Sequence, residues 1–138
     1  MPTQDAEAVH RLLEAFNRGD FSALNEIDPH AELQDEPRMP GAGWNYGHEG
    51  AVRWAVKLWQ SFGRLCFEID EPVESAGCLV ARWHATGTGK RSGIDVDMEG
   101  YCLFGMRDGR VRRVEFFETE AEALGAAAAN GRVPQRKK

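Results

Sequence analysis

The chain has 138 residues, a length that suits one domain with a single hydrophobic core. Hydrophobic residues make up 42% of it, and no apolar run approaches the roughly 18 residues needed to span a bilayer. A formal net charge of −5 argues against nucleic acid as a partner, because an acidic surface repels phosphate backbones.

Three helices are predicted in the first half of the chain. Apolar residues at helical spacing predict a first helix over residues 5–18, which Gly19 ends. Asp20 is expected to cap a short second helix that Pro29 closes. A third helix is predicted over residues 49–62. Its buried side is expected to hold Val52, Val56 (or Ala55), Trp59 and Phe62.

A strand and an irregular loop are predicted between the second and third helices. Residues 31–36 alternate so that Ala31, Leu33 and Asp35 share an apolar face. Residues 37–48 hold two prolines, three glycines and two aromatic residues, a composition unsuited to a regular element. Loops of this length are often lids, so we expect this loop to cover a ligand site.

The second half of the chain is predicted to be almost entirely β-structure. Alternation and turn signals predict strands over residues 65–70, 78–88, 94–106 and 111–118. Thr119-Glu120-Ala121-Glu122 is a capping box that opens a final alanine-rich helix. Helices on one face of an antiparallel sheet define the α+β class, and a curved sheet around the N-terminal helices forms a cone with one internal pocket.

The chain is expected to be a single domain over residues 1–130 with a flexible basic tail over residues 131–138. The polar, acidic N-terminus is unlike a secretory signal. Three scattered cysteines predict no disulfide framework, so the predicted location is the cytoplasm. The scattered histidines and glycines form no metal or nucleotide motif, so neither a metal nor another cofactor is expected.

Four short stretches are informative together. They are Phe16-Asn17-Arg18-Gly19-Asp20, Asp28-Pro29-His30-Ala31-Glu32-Leu33-Gln34-Asp35, Tyr46-Gly47-His48-Glu49-Gly50 and Asp108-Gly109-Arg110-Val111. In this order and spacing they resemble the SnoaL-like and ketosteroid-isomerase-like proteins of the nuclear transport factor 2-like superfamily. The resemblance implies a cone-shaped α+β barrel with a small hydrophobic ligand, usually a homodimer through the convex side of its sheet. The superfamily includes isomerases, cyclases, dehydratases, epoxide hydrolases and binding modules, so the fold alone does not name the function.

The resemblance also places individual residues. Asp35 falls where ketosteroid isomerases keep their general-base aspartate. Leu12 falls where they keep an oxyanion-hole tyrosine, and Cys102 where they keep a protonated aspartate. Because two of these three groups differ, steroid isomerisation by that mechanism is not expected.

A second comparison within the superfamily concerns the strand around Trp83. Arg82-Trp83-His84 resembles the Arg-x-Asp strand of limonene-epoxide hydrolases, with His84 at the first aspartate and Phe116 at the second. The alignment implies that the cavity is faced by Arg82, His84, Val114, Phe116 and Glu118. It implies that the convex side is faced by Trp83, Glu115 and Phe117.

Asp35 is the first candidate for chemistry, because a carboxylate on an apolar face loses hydration and becomes a stronger base. The alternative is a strand-end aspartate that caps the following loop. His84 could form an acid–base pair with Asp35, or it could be a wall residue without chemistry. Arg82 could orient Asp35 or bind an enolate, or it could pair with Glu118 across the sheet.

Six further side chains are expected to contact a ligand. They are Trp44, Tyr46, Trp59, Cys102, Phe116 and Glu118. Trp44 and Tyr46 would close over the ligand and exclude water, and Trp59 would line the pocket floor. Glu118 would be a second carboxylate or, alternatively, the start of the cap before the last helix.

Three functions remain open from the sequence. The first is a cofactor-free lyase or isomerase of the cyclase or dehydratase type, acting on a small hydrophobic carbonyl compound. In it, Asp35 would be the general base, and His84 and Arg82 would stabilise or protonate the enolate. The second is a non-catalytic ligand-binding or assembly module. The third is an epoxide-type hydrolase whose water is activated by Asp35 or Glu118.

Overall fold

The computed structural model describes residues 4–39 and 41–132. Its helices are α1 (Gln4–Asn17), a 3₁₀ helix (Phe21–Glu26), α2 (Gly47–Ser61) and α3 (Glu120–Arg132). Its strands are β1 (Glu32–Gln34), β2 (Trp44–Tyr46), β3 (Phe62–Ile69), β4 (Val73–Ser75), β5 (Cys78–Gly89), β6 (Asp95–Arg107) and β7 (Arg110–Phe117). The predicted tail begins inside α3, and residues 133–138 lie outside the described residues. Within the described ranges, no helix is both long and apolar enough to cross a membrane.

The strands form one sheet in the order β2-β1-β7-β6-β5-β3, and β4 pairs with β5. β1 runs parallel to β7, whereas the long strands β5, β6 and β7 form an antiparallel meander. The predicted α+β class, with a curved antiparallel sheet around N-terminal helices, is confirmed. Two short strands were not predicted. β4 extends the sheet beside β5, and β2 occupies part of the predicted loop over residues 37–48.

Helices α1 and α2 pack on one face of the sheet, which we call the inner face. The inner face is marked by Leu33, Ala81, Trp83, Phe104 and Phe116. The buried side of α2 is Gly50, Ala51, Trp54, Ala55 and Leu58, and the predicted buried side was wrong at the exposed Val52. Its small residues allow the helix to approach the strands closely, which the larger valine would prevent.

The opposite, outer face of the sheet is partly covered by α3. Ala123 and Ala127 are fully buried against Val80 and Leu103. The predicted capping box is confirmed, since the Glu122 amide donates to Thr119 Oγ1 at 3.2 Å and the Thr119 amide donates to Glu122 Oε1 at 3.1 Å.

An ion pair between the buried Asp28 and the partly exposed Arg107 joins the segment before β1 to the end of β6. Asp28 is 4% exposed. The Arg107 guanidinium donates to both of its oxygens, at 2.8 and 2.9 Å, and the His30 amide adds a third bond at 2.7 Å. Burial alone would raise the pKa of Asp28, but the hydrogen bonds from Arg107 and His30 outweigh it and lower the pKa below its ordinary value. The ionised form of Asp28 is therefore stabilised in the folded state.

Candidate functional site

Asp35 lies just beyond β1 on the inner face and is 8% exposed. The Gly43 amide donates to Asp35 Oδ2 at 3.0 Å, and the Asp35 amide donates to the Gly43 carbonyl at 2.8 Å. These two bonds close the loop of residues 36–43 at its neck. Asp35 thus combines the predicted position on the apolar face with the loop-capping contact that was considered as the alternative.

Two further side chains, neither of them predicted, complete a polar cluster around Asp35. Lys57 of α2 places Nζ at 3.0 Å from Oδ1 and 3.1 Å from Oδ2. Asn45 of β2 donates to Oδ1 at 3.2 Å and also to the Leu33 carbonyl at 3.2 Å. We call Asp35, Asn45 and Lys57 the polar cluster. It joins a carboxylate, an ammonium and an amide on the inner face, and so provides a base, an acid and a neutral donor.

The two aromatic residues of β2 do not point toward the polar cluster. β2 pairs with β1 so that Asn45 is opposite Leu33, which turns Trp44 and Tyr46 to the other face. The Arg113 guanidinium lies 4.5 Å from the centre of the Trp44 ring, and Tyr46 is 61% exposed. The predicted placement of Trp44 and Tyr46 over a ligand on the inner face was therefore wrong.

Arg82 and His84 lie on the outer face, so their predicted orientation into the cavity was wrong. His84 Nε2 is 2.7 Å from Asp97 Oδ1, and Arg82 bonds Glu99 rather than Glu118. The cause is the alternation of side chains along β5, which places Trp83 in the core on the inner face. Successive residues of a strand point to opposite faces, so a one-residue difference reverses every side chain.

Trp83 occupies the inner face in place of Arg82 and His84. Its ring stacks on Phe67 with centroids 5.3 Å apart and meets Phe116 edge-on at 5.7 Å. Gly100 lies opposite Trp83 on β6. The Arg38 guanidinium, from the loop of residues 36–43, is 5.9 Å from the Trp83 ring centre. This loop therefore extends from Asp35, at the end of β1, to Trp83 on β5.

The remaining predicted contact residues separate into two groups. Cys102 and Phe116 are buried on the inner face, the side that the resemblance implied for Phe116, and their contact with a ligand stays a prediction. Trp59 lies farther along α2, where its N–H donates to the Phe16 carbonyl at 3.2 Å and its ring packs on Phe21 at 6.2 Å. Glu118 is exposed just after β7, at the side of the final helix cap.

Comparison with known proteins places this arrangement in a family. The sequence pattern of the SnoaL-like domain matches residues 9–114. The chain belongs to the SnoaL-like family. This family is one of small-ligand-binding proteins, and its fold accounts for an inner face enclosed between a curved sheet and two helices. No curated protein matches the chain significantly.

Three solved structures share the fold of this SnoaL-like protein. A protein from Jannaschia sp. CCS1, provisionally assigned as a SnoaL-like polyketide cyclase, is 22% identical with a TM-score of 0.71, over 96% of this chain and 95% of that one. An NTF2-like protein of unknown function from Burkholderia pseudomallei K96243 is 19% identical with a TM-score of 0.73, over 89% and 96%. TerC, co-crystallised with polyporic acid, is 20% identical with a TM-score of 0.72, over 92% and 99%.

A large cleft of the SnoaL-like domain lies away from the polar cluster. It has a volume of about 580 Å³ and is formed by α1, the 3₁₀ helix and the β6–β7 turn. Charges of both signs line it, namely Arg11, Arg18, Arg110, Glu14, Asp20, Glu26 and Asp108. None of the three residues of the polar cluster contributes to its wall.

The three cysteines of this SnoaL-like protein are expected to differ in reactivity. Burial raises the pKa of the Cys102 thiol and of the Cys78 thiol, although Arg113 opposes the effect at Cys78. Cys66 is only half-buried. We expect Cys66 to be alkylated by iodoacetamide at pH 8 about tenfold faster than the other two, because the thiolate is the reactive form. Peptide mass spectrometry measures this, with the urea-unfolded chain as control. Equal rates in the folded protein would contradict it.

Proposed function

We propose that this SnoaL-like protein is a cofactor-free lyase or isomerase of the cyclase or dehydratase type, acting on a small hydrophobic carbonyl compound. The observation that carries the proposal is the Asp35 carboxylate, buried on an apolar inner face beside the Lys57 ammonium. Lys57 and Asn45 take the roles for which Arg82 and His84 were predicted, because those two side chains lie on the other side of the sheet.

In the proposed step, Asp35 removes a proton from the carbon next to the substrate carbonyl. The electron pair of the broken C–H bond forms the carbon–carbon double bond, and the carbonyl π electrons move onto oxygen. The Lys57 side chain is 52% exposed and therefore has room to exchange one of its contacts with Asp35 for the developing enolate oxygen. Return of the proton from Asp35 to a different carbon completes an isomerisation.

Deuterium uptake tests the proposed base directly. The probe is 1-indanone in D2O, with exchange at the carbon next to the carbonyl followed by proton NMR. We expect Asp35→Asn to reduce protein-dependent exchange by about 100-fold or more, the usual contribution of a positioned general base. Lys57→Met is expected to reduce it less, since the base remains.

The matched control is Glu74→Gln, which neutralises an exposed carboxylate on β4. This variant should exchange at the wild-type rate, and circular dichroism should show that all variants remain folded. Undiminished exchange in folded Asp35→Asn would refute the role of Asp35 as the base.

A second candidate function is a non-catalytic binding module of the same fold. It is favoured by the bonding of Asp35, whose two oxygens already accept from Gly43, Asn45 and Lys57. A carboxylate with all these donors in place is well suited to fix the loop of residues 36–43. If 1-indanone binds to the wild-type protein but no exchange occurs, the binding module is the better description.

The homodimer stays a prediction from the family. One of its two supporting aromatic residues, Trp83, lies on the inner face and therefore cannot contribute to an interface on the convex side. Phe117 does lie on the outer face, where it packs beside the cluster formed with α3.

A further inference from the structure

The indole N–H of Trp83 is a buried donor without an acceptor. Trp83 is 2% exposed, and among the described residues no hydrogen-bond partner lies within reach of its Nε1 atom. Buried polar groups in folded proteins are nearly always paired, because an unpaired donor loses its hydration without compensation. Trp59 shows the usual situation in the same protein, since its N–H donates to the Phe16 carbonyl at 3.2 Å.

The unpaired donor lies on the same face of the sheet as the proposed base. β1 is parallel to β7 with Leu33 opposite Val114, and extending that register by two residues brings Asp35 level with Phe116. The Phe116 ring meets the Trp83 ring edge-on at 5.7 Å. Phe116 therefore lies between the Asp35 region and Trp83, so the two positions are neighbours on the inner face.

The loop of residues 36–43 begins beside Asp35 and also contacts Trp83 through Arg38. Arg38 donates through Nε to Glu36 at 2.7 Å and through Nη2 to the Glu99 carbonyl at 3.0 Å. Its charge is therefore already paired, and its position 5.9 Å from the Trp83 ring centre holds the loop over the indole. The electrostatics around Trp83 consequently favour a neutral acceptor over an anion.

We propose that the Trp83 N–H is a specificity-determining donor, which binds the carbonyl oxygen of a planar, aromatic ketone lying on the inner face. The indole N–H can only donate, so its partner must be an acceptor atom of the ligand. The surrounding Phe67, Phe116 and Trp83 rings supply flat apolar walls that suit an aromatic skeleton. The inference rests on the proposed function in taking the inner face beside Asp35 as the ligand site.

A pair of probes that differ only in the acceptor tests this inference. 1-Indanone carries the carbonyl and indane lacks it, and the affinity of each is measured by NMR titration. We expect the wild-type protein to bind 1-indanone about tenfold more tightly than indane, the usual worth of one buried hydrogen bond. In Trp83→Phe the preference for 1-indanone, expressed as the ratio of the two dissociation constants, should disappear or reverse, because an aromatic ring is kept while the ligand carbonyl is left without its donor. A general loss of affinity cancels in this ratio.

Trp59→Phe is the matched control, since it makes the same substitution at an indole whose N–H is already used within the protein. Its ratio should equal that of the wild type. In the wild-type protein, the indole N–H resonance that disappears in Trp83→Phe should also move farther downfield with 1-indanone than with indane.

An unchanged ratio in Trp83→Phe, or a wild-type ratio of one, would overturn the inference. The result is separable from the fate of the proposed reaction, because binding ratios do not depend on Asp35 acting as a base. If the protein catalyses no deuterium exchange but the ratio of the dissociation constants depends on Trp83, the protein is better described as a ketone-binding module. If deuterium exchange requires Asp35 but the ratio of the dissociation constants does not depend on Trp83, the proposed reaction stands and the proposed role of Trp83 is refuted.

Discussion

Asp28→Ala is expected to lower the free energy of unfolding by about 2 kcal/mol, within the usual range for losing hydrogen bonds between charged groups. The carboxylate is almost fully buried and is bonded by Arg107 at 2.8 and 2.9 Å and by the His30 amide at 2.7 Å. Its removal leaves the guanidinium and the amide without their acceptor. Urea unfolding followed by circular dichroism measures the change.

Glu99→Ala is the control for this substitution, because it removes a carboxylate from an exposed pair with Arg82 on the outer face. Exposed pairs contribute little, so its effect should be much smaller. If Asp28→Ala and Glu99→Ala had equal effects, the Asp28–Arg107 pair would not be the structural anchor that its geometry indicates.

The same pair predicts how stability responds to acid. The folded-state pKa of Asp28 lies below its ordinary value, so the ionised carboxylate stabilises the native state at neutral pH. That contribution is complete above the unfolded-state pKa of about 4 and is lost as the pH falls through the lower folded-state pKa. The stability difference between the wild type and Asp28→Asn should therefore be largest at neutral pH and shrink below about pH 4.

Gly100→Ala is expected to lower the free energy of unfolding by about 2 kcal/mol, within the usual range for overpacking a core. A Cβ atom at residue 100 would lie 3.0 Å from the Phe117 carbonyl oxygen and 3.1 Å from Trp83 Nε1. The first neighbour belongs to the backbone of β7 and the second to a buried ring that is stacked on Phe67, so neither moves toward solvent easily. Thermal and urea unfolding both measure the loss.

Gly125→Ala gives a control of opposite sign. This glycine lies in α3, and a Cβ there would meet no atom within 4 Å. Alanine should stabilise the helix by roughly 0.5–1 kcal/mol, because glycine is the poorer helix former. A Gly100→Ala protein as stable as the wild type would mean that the indole of Trp83 can move away from β6 at little cost.

The overall fold was predictable because its long elements carry regular hydrophobic periods. The alternation in β5, β6 and β7 and the helical spacing in α1 are repeated over many residues, so an isolated exception does not alter the assignment. The face of Asp35 was also correct, since Ala31 and Leu33 precede it at the same alternation. Short elements were less predictable, as β2 has three residues and no repeated period.

The errors at the site have specific physical causes. In β5 the residues on both faces of the strand include apolar ones, so the sequence alone does not decide which face points inward. The family alignment assigned the face of Arg82 and His84 to the cavity, whereas the structure places the face of Trp83 there. In β2 the two aromatic residues looked like the buried set, yet stacking under Arg113 satisfies Trp44 on the outer face. Lys57 gave no signal, because a long side chain on a helix can reach a partner that the sequence does not identify.

The closed neck between Asp35 and Gly43 has a consequence for engineering. The loop of residues 36–43 begins and ends at two hydrogen bonds, of 2.8 and 3.0 Å, that belong to the framework of β1. Segments anchored in this way tolerate changes in length, since doubling a loop costs only about 0.6 kcal/mol of closure entropy. Replacing the residues between Asp35 and Gly43 with longer or shorter segments should therefore change the contacts that the loop makes over Trp83, while the scaffold and the carboxylate keep their positions. This loop is the natural place to diversify a library of new binding proteins built on the chain.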